Sequence, residues 1–257
     1  MELIITLKNG VCELKLNRPA VFNSFNQAMA FALQKALDEA EFNDEVRAIV
    51  ITGEGKAFCA GQDLAEAVDP EGPELQSIVK DHYNPIIERI RTIEKPVIAA
   101  VNGVAAGAGA NIALACDITF AKKSASFIQA FSKIGLIPDS GGTFFLPRIV
   151  GMQKALALMF TGDKVTAEQA EQMNMIYKAV DDESFEAEVK QFAEVLAAMP
   201  TRGLGLTKKA VNASFTNNLT QQLAVEEELQ TEAGQTYDFR EGVNAFLEKR
   251  KPVFKGE

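Results

Sequence analysis

The sequence predicts an α/β fold over about three quarters of the chain, followed by an all-α C-terminal region. In the first part, short apolar runs that are rich in β-branched residues alternate with segments of helical periodicity. From Ser184 onward only amphipathic helical patterns remain, and they are interrupted near Met199 and Pro200. The 257 residues are 47% hydrophobic and 24% charged, which is typical of a globular chain with a substantial core.

The first elements are predicted to be a β-hairpin and a helix. Alternating apolar residues flank Asn9 and Gly10, a pair that favours a two-residue hairpin turn. Apolar residues then recur at helical spacing between Asn26 and Asn43. The run AIVITG, from Ala48 to Gly53, has the β-branched composition of a buried strand.

The middle of the chain continues the alternation. The polar stretch VDPEGPELQ predicts a loop before a helix around Asp81 to Thr92. PVIAAVNG and ITFAKKSASFI are predicted strands, and AAGAGANIALACD between them is a predicted short helix. After IPDSGG the pattern is helical through MQKALALMF and through a helix whose Thr166 and Gln169 have capping-box spacing, and IYKAVDD is a short predicted strand.

Charge and apolar patterning exclude several classes of protein. A net charge of −9 disfavours nucleic-acid binding, which needs clustered basic residues. The N-terminus has no signal-peptide pattern, and no apolar run is long enough to span a membrane. We therefore expect a cytoplasmic protein, in which the three scattered cysteines are reduced thiols.

The scarcity of histidine restricts the chemistry further. His82 is the single histidine, no GxSxG motif is present, and the Cys and His spacings match no zinc pattern. Nucleophilic hydrolysis and zinc catalysis are therefore disfavoured, and we expect no metal site. His82 itself, in KDHYNP, is predicted to be a surface or boundary residue.

Two glycine-rich segments could present backbone N–H groups to a ligand. GAGANI, which begins at Gly107, lacks the third glycine of a dinucleotide fingerprint, and the chain has no P-loop motif. A helix that begins just after Gly107 would leave its first-turn N–H groups unpaired, and CAGQDL offers donors at a strand end. If the two segments converge they form an oxyanion hole; the alternative is that their small residues serve tight packing.

Asp139, in IPDSGG, also has two interpretations. Proline, aspartate and glycine are common turn formers, so the motif can be explained as a turn alone. The other interpretation is that Asp139 is the acid and base of an active site.

Several segments together resemble the enoyl-CoA hydratase/isomerase family, also called the crotonase superfamily. They occur in family order along essentially the whole chain and include LNRPAVFNSF, KAFCAGQDL, KPVIAAVNGVAAGAGANIALACD, FSKIGLIPDSGGTFFLPRIVG, TGDKVTAEQAEQMNMI and EGVNAFLEKRKP. The resemblance implies a crotonase-like spiral of ββα turns over residues 1–195, which would hold the acyl-CoA site. It also implies a helical region over residues 196–257 that joins subunits into a homotrimer or a dimer of trimers.

The resemblance also implies roles for individual residues. The oxyanion hole would consist of the backbone N–H groups of Gln62 and Ala108. Coenzyme A, which enters as part of the substrate and not as a separate cofactor, would be held by three groups of residues. These are the turn of Ala60, Gln62, Asp63 and Leu64 with Ala108, the pantetheine path along Ala20, Val21 and Phe22, and Phe246 with Lys249, which could reach the nucleotide of a neighbouring subunit.

The departures from the family pattern favour one reaction. Where the family's hydratases use two glutamates, this chain has Asn111 and Phe131, neither of which can transfer a proton. Asp139 is the one acid left in a matching position, and one carboxylate suffices to shift a double bond by removing and returning a proton. If Asp139 is buried among Ile137, Phe131 and Phe145, its pKa would be raised.

The resemblance therefore implies an acyl-CoA isomerase that works through a thioester enolate. Its substrate would be ring-epoxidised phenylacetyl-CoA, converted to the oxepin form, or an unsaturated enoyl-CoA. Two alternatives stay open: a hydratase-type lyase in which Asp139 and a water replace the missing glutamates, and a noncatalytic acyl-CoA binding protein.

Overall fold

Two β-sheets form the framework of the molecule, and from β3 to β8 consecutive strands alternate between them. The computed structural model describes residues 2–257. Met1, the first residue of the region 1–195 that is predicted to form the spiral, lies outside the described residues. The larger sheet has six strands in the order β1 Leu3–Lys8, β2 Val11–Leu16, β3 Ala48–Gly53, β5 Val97–Val101, β7 Ile118–Lys122 and β10 Lys178–Val180. The smaller sheet has the order β4 Ala57–Cys59, β6 Val104–Ala106, β8 Ser126–Ile128 and β9 Lys164–Thr166.

The larger sheet begins with the predicted hairpin. Strands β1 and β2 are antiparallel, and Asn9 and Gly10 both have positive φ, as their tight turn requires. The remaining neighbours are parallel, and every residue of β3 and β5 is buried. The hairpin and the buried strand over AIVITG are thus confirmed.

The smaller sheet takes one strand from each turn of the chain. Strand β3 is followed by β4, β5 by β6, and β7 by β8, so each turn contributes to both sheets. ITFAKKSASFI is therefore two strands in different sheets, separated by a turn in which Ala125 N–H donates to the Lys122 carbonyl at 2.8 Å. The repeating strand, strand, helix order confirms the predicted spiral of ββα turns.

Twelve α-helices in residues 2–257 complete the fold. They are α1 Gln27–Phe42, α2 Leu64–Ala67, α3 Leu75–Ser77, α4 Asn84–Thr92, α5 Ala108–Ala115, α6 Gly142–Val150, α7 Met152–Thr161, α8 Ala167–Gln172, α9 Phe185–Ala197, α10 Thr201–Ser214, α11 Leu219–Ala233 and α12 Tyr237–Leu247. The side chain of Asn26 caps α1 by accepting from Met29 N–H, and Thr166 and Gln169 form the predicted capping box of α8. The split between α9 and α10 falls at the predicted Pro200.

The segment before β5 differs from the prediction in two respects. Helical structure starts at Leu75 and continues through a π-helical segment, Ile78–Tyr83, into α4, so the loop is shorter than predicted. His82 lies in this segment and is buried, with its ring edge-on to Phe31 at 5.3 Å between centroids. The surface prediction for His82 was wrong because the π-helical turn directs the ring into the interface with α1.

The C-terminal helices form the predicted all-α region. The chain after α12 folds back, and the Asp238 carboxylate accepts hydrogen bonds from the Lys255 and Gly256 N–H groups at 2.7 Å. Glu241 forms a two-point ion pair with Arg250. The boundary at residue 195 and the role of this region in trimerisation stay predictions. Over residues 2–257 every helix is too short or too polar to cross a bilayer.

Candidate active site

Two of the predicted binding segments meet through backbone hydrogen bonds. Ala60 N–H donates to the Phe22 carbonyl at 3.0 Å, and Phe25 N–H donates to the Gly61 carbonyl at 2.7 Å. Asp63 N–H in turn donates to the Phe25 carbonyl at 2.8 Å. The turn after β4 is therefore fixed against the segment that follows β2.

The backbone N–H of Gln62 points away from that contact. Phe25 and Gln62 form an isolated parallel bridge, in which Phe25 bonds the residues on either side of Gln62. A Cβ placed on Gly61 would lie 3.5 Å from the Ala108 nitrogen and 3.0 Å from the Ala106 carbonyl oxygen. The two segments thus lie side by side, and glycine is what allows this approach.

Ala108 supplies the second predicted donor because it is the first residue of α5. The first N–H groups of a helix have no acceptor within the helix, and Gly107 contributes no side-chain cap. A Cβ on Gly109 would collide with the Cys59 carbonyl oxygen, so α5 packs directly on β4. Tight packing, the alternative interpretation of these small residues, is therefore confirmed, and it brings the two predicted donors near each other. Their role as an oxyanion hole stays a prediction.

Asp139 lies in a turn that leads into α6. Ser140 and Gly141 both have positive φ, and Gly142 N–H donates to the Asp139 carbonyl at 2.8 Å. The Ser140 hydroxyl donates to Oδ1 of Asp139, also at 2.8 Å. The turn interpretation of IPDSGG is thus correct as far as the backbone is concerned.

The environment of the Asp139 carboxylate changes its chemistry. Burial raises its pKa above the ordinary value, and this outweighs the hydrogen bonds from Ser140 and from its own backbone, which favour the charged form. Phe145 and Phe131 are buried as predicted, but Ile137 is 81% exposed. That part of the prediction was wrong because the chain before Asp139 faces outward.

Asn111 is completely buried on α5 and contacts the Asp139 turn. Its Nδ2 donates to the Asp139 carbonyl oxygen at 2.8 Å. Its Oδ1 accepts from Nε2 of Gln129, again at 2.8 Å. The side chain fits because Gly142 has no Cβ, which would lie 2.7 Å from Asn111 Cγ.

Phe131, the other departure from the family pattern, belongs to a 3-10 turn, Ala130–Ile134. Its ring is buried, and it lies 3.8 Å from the position that a Cβ on Gly107 would occupy. Thus both positions that the resemblance assigns to hydratase glutamates hold side chains that cannot exchange a proton.

Sequence reasoning missed a hydrogen-bond chain through the Gln62 side chain. The buried Tyr83 hydroxyl donates to Gln62 Oε1 at 2.9 Å, and Gln62 Nε2 donates to Glu66 Oε2 at 3.1 Å. Burial raises the pKa of Tyr83 well above its usual value, and the negative charges of Asp139 and Glu66 raise it further. The phenol therefore stays protonated, and it lies within electrostatic reach of Asp139.

Glu66 is a second carboxylate in this neighbourhood. Its two oxygens also accept from Gln27 N–H, at 3.0 and 3.2 Å, so that it links the start of α1 to α2. No signal in the sequence singles out Tyr83 or Glu66, because their proximity depends on the π-helical segment and on the short helix α2.

The predicted coenzyme A residues near this turn divide into two kinds. Asp63 is bound to Arg18 at 2.9 Å and caps α2 by accepting from Ala65 N–H, so its carboxylate stabilises the turn. Val21, Phe22 and Leu64 are between 41% and 55% exposed, which is the accessibility that a ligand path needs. Ala20 and Ala60 are exposed as well.

Phe246 and Lys249 lie apart from these residues, at the end of α12. Phe246 is 83% exposed and lines an apolar groove of about 660 Å³ between α12 and the end of α11. Lys249 has positive φ and follows the helix. The role that the resemblance implies for these two residues stays a prediction.

Metal ligands are not grouped anywhere in residues 2–257: no three His, Cys, Asp or Glu side chains are arranged to hold an ion. Cys59 and Cys116 are buried thiols whose pKa burial raises to about 12. As thiols they supply neither a nucleophile nor a thiolate ligand near pH 7.

Comparison with known proteins places this geometry in a family. The enoyl-CoA hydratase/isomerase model matches residues 6–257. The 1,2-epoxyphenylacetyl-CoA isomerase of Escherichia coli strain K12 is 49% identical over 261 residues, covering 100% of both chains. A "probable enoyl-CoA hydratase" of Rhodobacter capsulatus is 48% identical, covering 97% of this chain and 96% of the relative.

Solved structures agree with this result. The crystal structure of an enoyl-CoA hydratase from Bacillus anthracis superposes with a TM-score of 0.93 at 32% identity, covering 100% of both chains. The family match spans almost the whole chain, and the structural likeness includes both sheets and the C-terminal helices. The chain therefore belongs to the enoyl-CoA hydratase/isomerase family.

Proposed function

We propose that this chain is an acyl-CoA isomerase in which Asp139 is the single proton-transfer group. The observation that carries the proposal is that the Asp139 carboxylate has a raised pKa, while Asn111 and Phe131 occupy the two positions that the resemblance assigns to hydratase glutamates. A carboxylate whose pKa is moved towards neutrality serves as both acid and base, and one such group is enough for isomerisation.

The proposed reaction has two proton transfers. Asp139 removes a proton from a carbon that is acidified by the thioester, and the electron pair moves into a dienolate. The Gln62 and Ala108 N–H groups bind the enolate oxygen, where negative charge develops. The protonated Asp139 then returns the proton to a different carbon, the double bond shifts, and the carboxylate is regenerated.

The relatives guide the choice of substrate. Because a relative with 49% identity bears the name 1,2-epoxyphenylacetyl-CoA isomerase, we propose ring-epoxidised phenylacetyl-CoA as the first substrate. An unsaturated enoyl-CoA is the second, since it needs only the proton shift. In the epoxide reaction the bond between the two epoxide carbons also breaks, and its electron pair joins the ring double bonds, so that the oxygen becomes a member of the seven-membered oxepin ring. In both reactions the product is an isomer of the substrate, so the atoms balance without water or a separate cofactor.

Coenzyme A is proposed to bind as part of the substrate. Ala60, Gln62, Asp63, Leu64 and Ala108 would hold its adenine end and the thioester, with Ala20, Val21 and Phe22 along the pantetheine arm and Phe246 with Lys249 at the nucleotide. A homotrimer or dimer of trimers and a cytoplasmic location belong to the same proposal.

A hydratase reaction is the competing candidate because of the Rhodobacter capsulatus relative. It would require a water to be activated by Asp139 alone. The side chain of Asn111 already uses both its amide groups in protein hydrogen bonds, which disfavours its orienting a water.

The decisive experiment compares the wild type and Asp139→Asn on a 3-enoyl-CoA and on crotonyl-CoA. We expect double-bond migration by the wild type and a loss of roughly 10²-fold or more in Asp139→Asn. Asp181→Asn is the matched control, since this exposed aspartate pairs with Lys123 and lies far from Asp139 along the chain. Formation of 3-hydroxyacyl-CoA without migration would favour the hydratase, and tight binding without turnover across several acyl-CoAs would indicate a noncatalytic binding protein.

A further inference from the structure

We propose that Asn111, held in turn by Gln129, is a positioning residue that fixes the Asp139 carboxylate relative to the start of α5. The inference rests on the proposed function of Asp139. Asn111 stands where the resemblance places a hydratase glutamate. The inference assigns it a role of its own, so that the substitution does more than remove an acid.

The first step of the argument is the Asp139 carbonyl oxygen. It accepts one hydrogen bond from Asn111 Nδ2 and one from Gly142 N–H, each at 2.8 Å. Both lone pairs of this oxygen are therefore used. Because the carbonyl carbon is bonded to the Cα that bears the carboxylate, fixing the carbonyl restricts where the carboxylate can lie.

The second step is that Asn111 is itself fixed. Its Oδ1 accepts from Gln129 Nε2 at 2.8 Å, and both side chains are buried. A flipped amide would place Oδ1 against the Asp139 carbonyl oxygen and Nδ2 against the Gln129 donor, so one orientation is selected. Neighbouring Gly142 leaves just enough space for the amide.

The third step concerns the helix that carries Asn111. Ala108 is the first residue of α5 and Asn111 lies at i+3 from it, on the same side of the helix. One rigid element thus supplies a proposed oxyanion donor and anchors the proposed base. A carboxylate at position 111 could not perform this task when ionised, because it would repel the Asp139 carbonyl oxygen and donate no hydrogen bond.

The test uses turnover of a 3-enoyl-CoA by the full-length protein. We expect Asn111→Ala to lower kcat by about 10- to 100-fold, since small displacements of a reacting group have effects of this size. KM should change little, because no proposed contact to coenzyme A is removed. Gln129→Met, which keeps the approximate size of the side chain but has no N–H to donate to Asn111, should lower kcat in the same direction by a smaller factor.

Asn212→Ala is the matched control variant. Asn212 lies on α10, and its side-chain amide also forms hydrogen bonds, in this case with Arg91. We expect its kcat and KM to match those of the wild type. Melting temperatures of all variants show whether a loss of turnover is accompanied by a loss of structure.

The outcomes separate the inference from the proposed function. Full turnover by Asp139→Asn would overturn the proposed function itself. Loss of turnover in Asp139→Asn with full kcat in Asn111→Ala would overturn only the positioning role. If kcat, KM and melting temperature all worsen together in both Asn111→Ala and Gln129→Met, these residues serve stability alone. If Asn111→Ala does not fold, Gln129→Met decides.

Discussion

Asp139→Asn is expected to make the folded chain more stable at neutral pH while it removes turnover. Burial raises the pKa of Asp139 in the folded state, whereas in the unfolded chain an aspartate titrates near its ordinary pKa of about 3.9. The folded state therefore holds the proton more tightly than the unfolded state. Above the folded pKa the ionised carboxylate is a cost to folding, and asparagine does not have this cost.

The sign and the pH window follow from linkage. As pH rises from about 3.9 through the raised pKa of Asp139, the folded chain binds more protons than the unfolded chain, so stability falls. Below that window both states are protonated and the cost disappears. Each unit of elevation corresponds to about 1.4 kcal/mol at neutral pH, and about 1 kcal/mol shifts Tm by roughly 2–4 °C in a chain of this size.

The assay is scanning calorimetry at pH 7 and near pH 4, with Asp181→Asn as the control for removing one negative charge from a chain of net charge −9. Asparagine at position 139 can still accept the Ser140 hydrogen bond, so the substitution isolates the charge. We expect a gain in Tm at pH 7 that shrinks at the lower pH. A lower Tm at pH 7, or an equal gain at both pH values, would refute the argument from burial.

Three further predictions address the residues around Asp139. The kcat/KM of the wild type should fall as pH drops through the raised pKa of Asp139, since the base form is needed, and a pH profile should place this limb above the ordinary value of about 3.9. Tyr83→Phe leaves Gln62 Oε1 without its donor, so we expect a loss of about 1–3 kcal/mol in urea unfolding and lower kcat. Gly142→Ala places a Cβ against the Asn111 side chain, and we expect a loss of about 1–3 kcal/mol and reduced turnover, measured in the same two assays.

Matched substitutions control the last two predictions. Tyr177→Phe removes a hydroxyl from a tyrosine that is 58% exposed, and Gly203→Ala adds a Cβ whose nearest neighbouring atom lies 3.9 Å away. Both should leave turnover unchanged. If Tyr83→Phe or Gly142→Ala behaves like its control, the corresponding contact does not support the site.

Individual elements of the fold could be predicted from local pattern because their signals lie close together in the chain, whereas the spiral of ββα turns was implied by the family resemblance. Asn9 and Gly10 predict a hairpin turn, and Thr166 with Gln169 predicts a helix start, since each pattern acts within a few residues. The loop before α4 was harder to predict. A π-helical segment has no distinctive periodicity, so the sequence pattern predicted neither where the segment starts nor the burial of His82.

The sequence by itself determined the family resemblance, the succession of ββα turns and the choice of Asp139 as the candidate acid. Only the tertiary structure decided which groups surround that acid. Asn111, Gln129 and Tyr83 are far from Asp139 along the chain, and they meet its turn or its neighbours through contacts between different elements. The physical reason is that burial, hydrogen bonding and pKa are properties of such long-range contacts, whereas turns and caps depend on neighbouring residues.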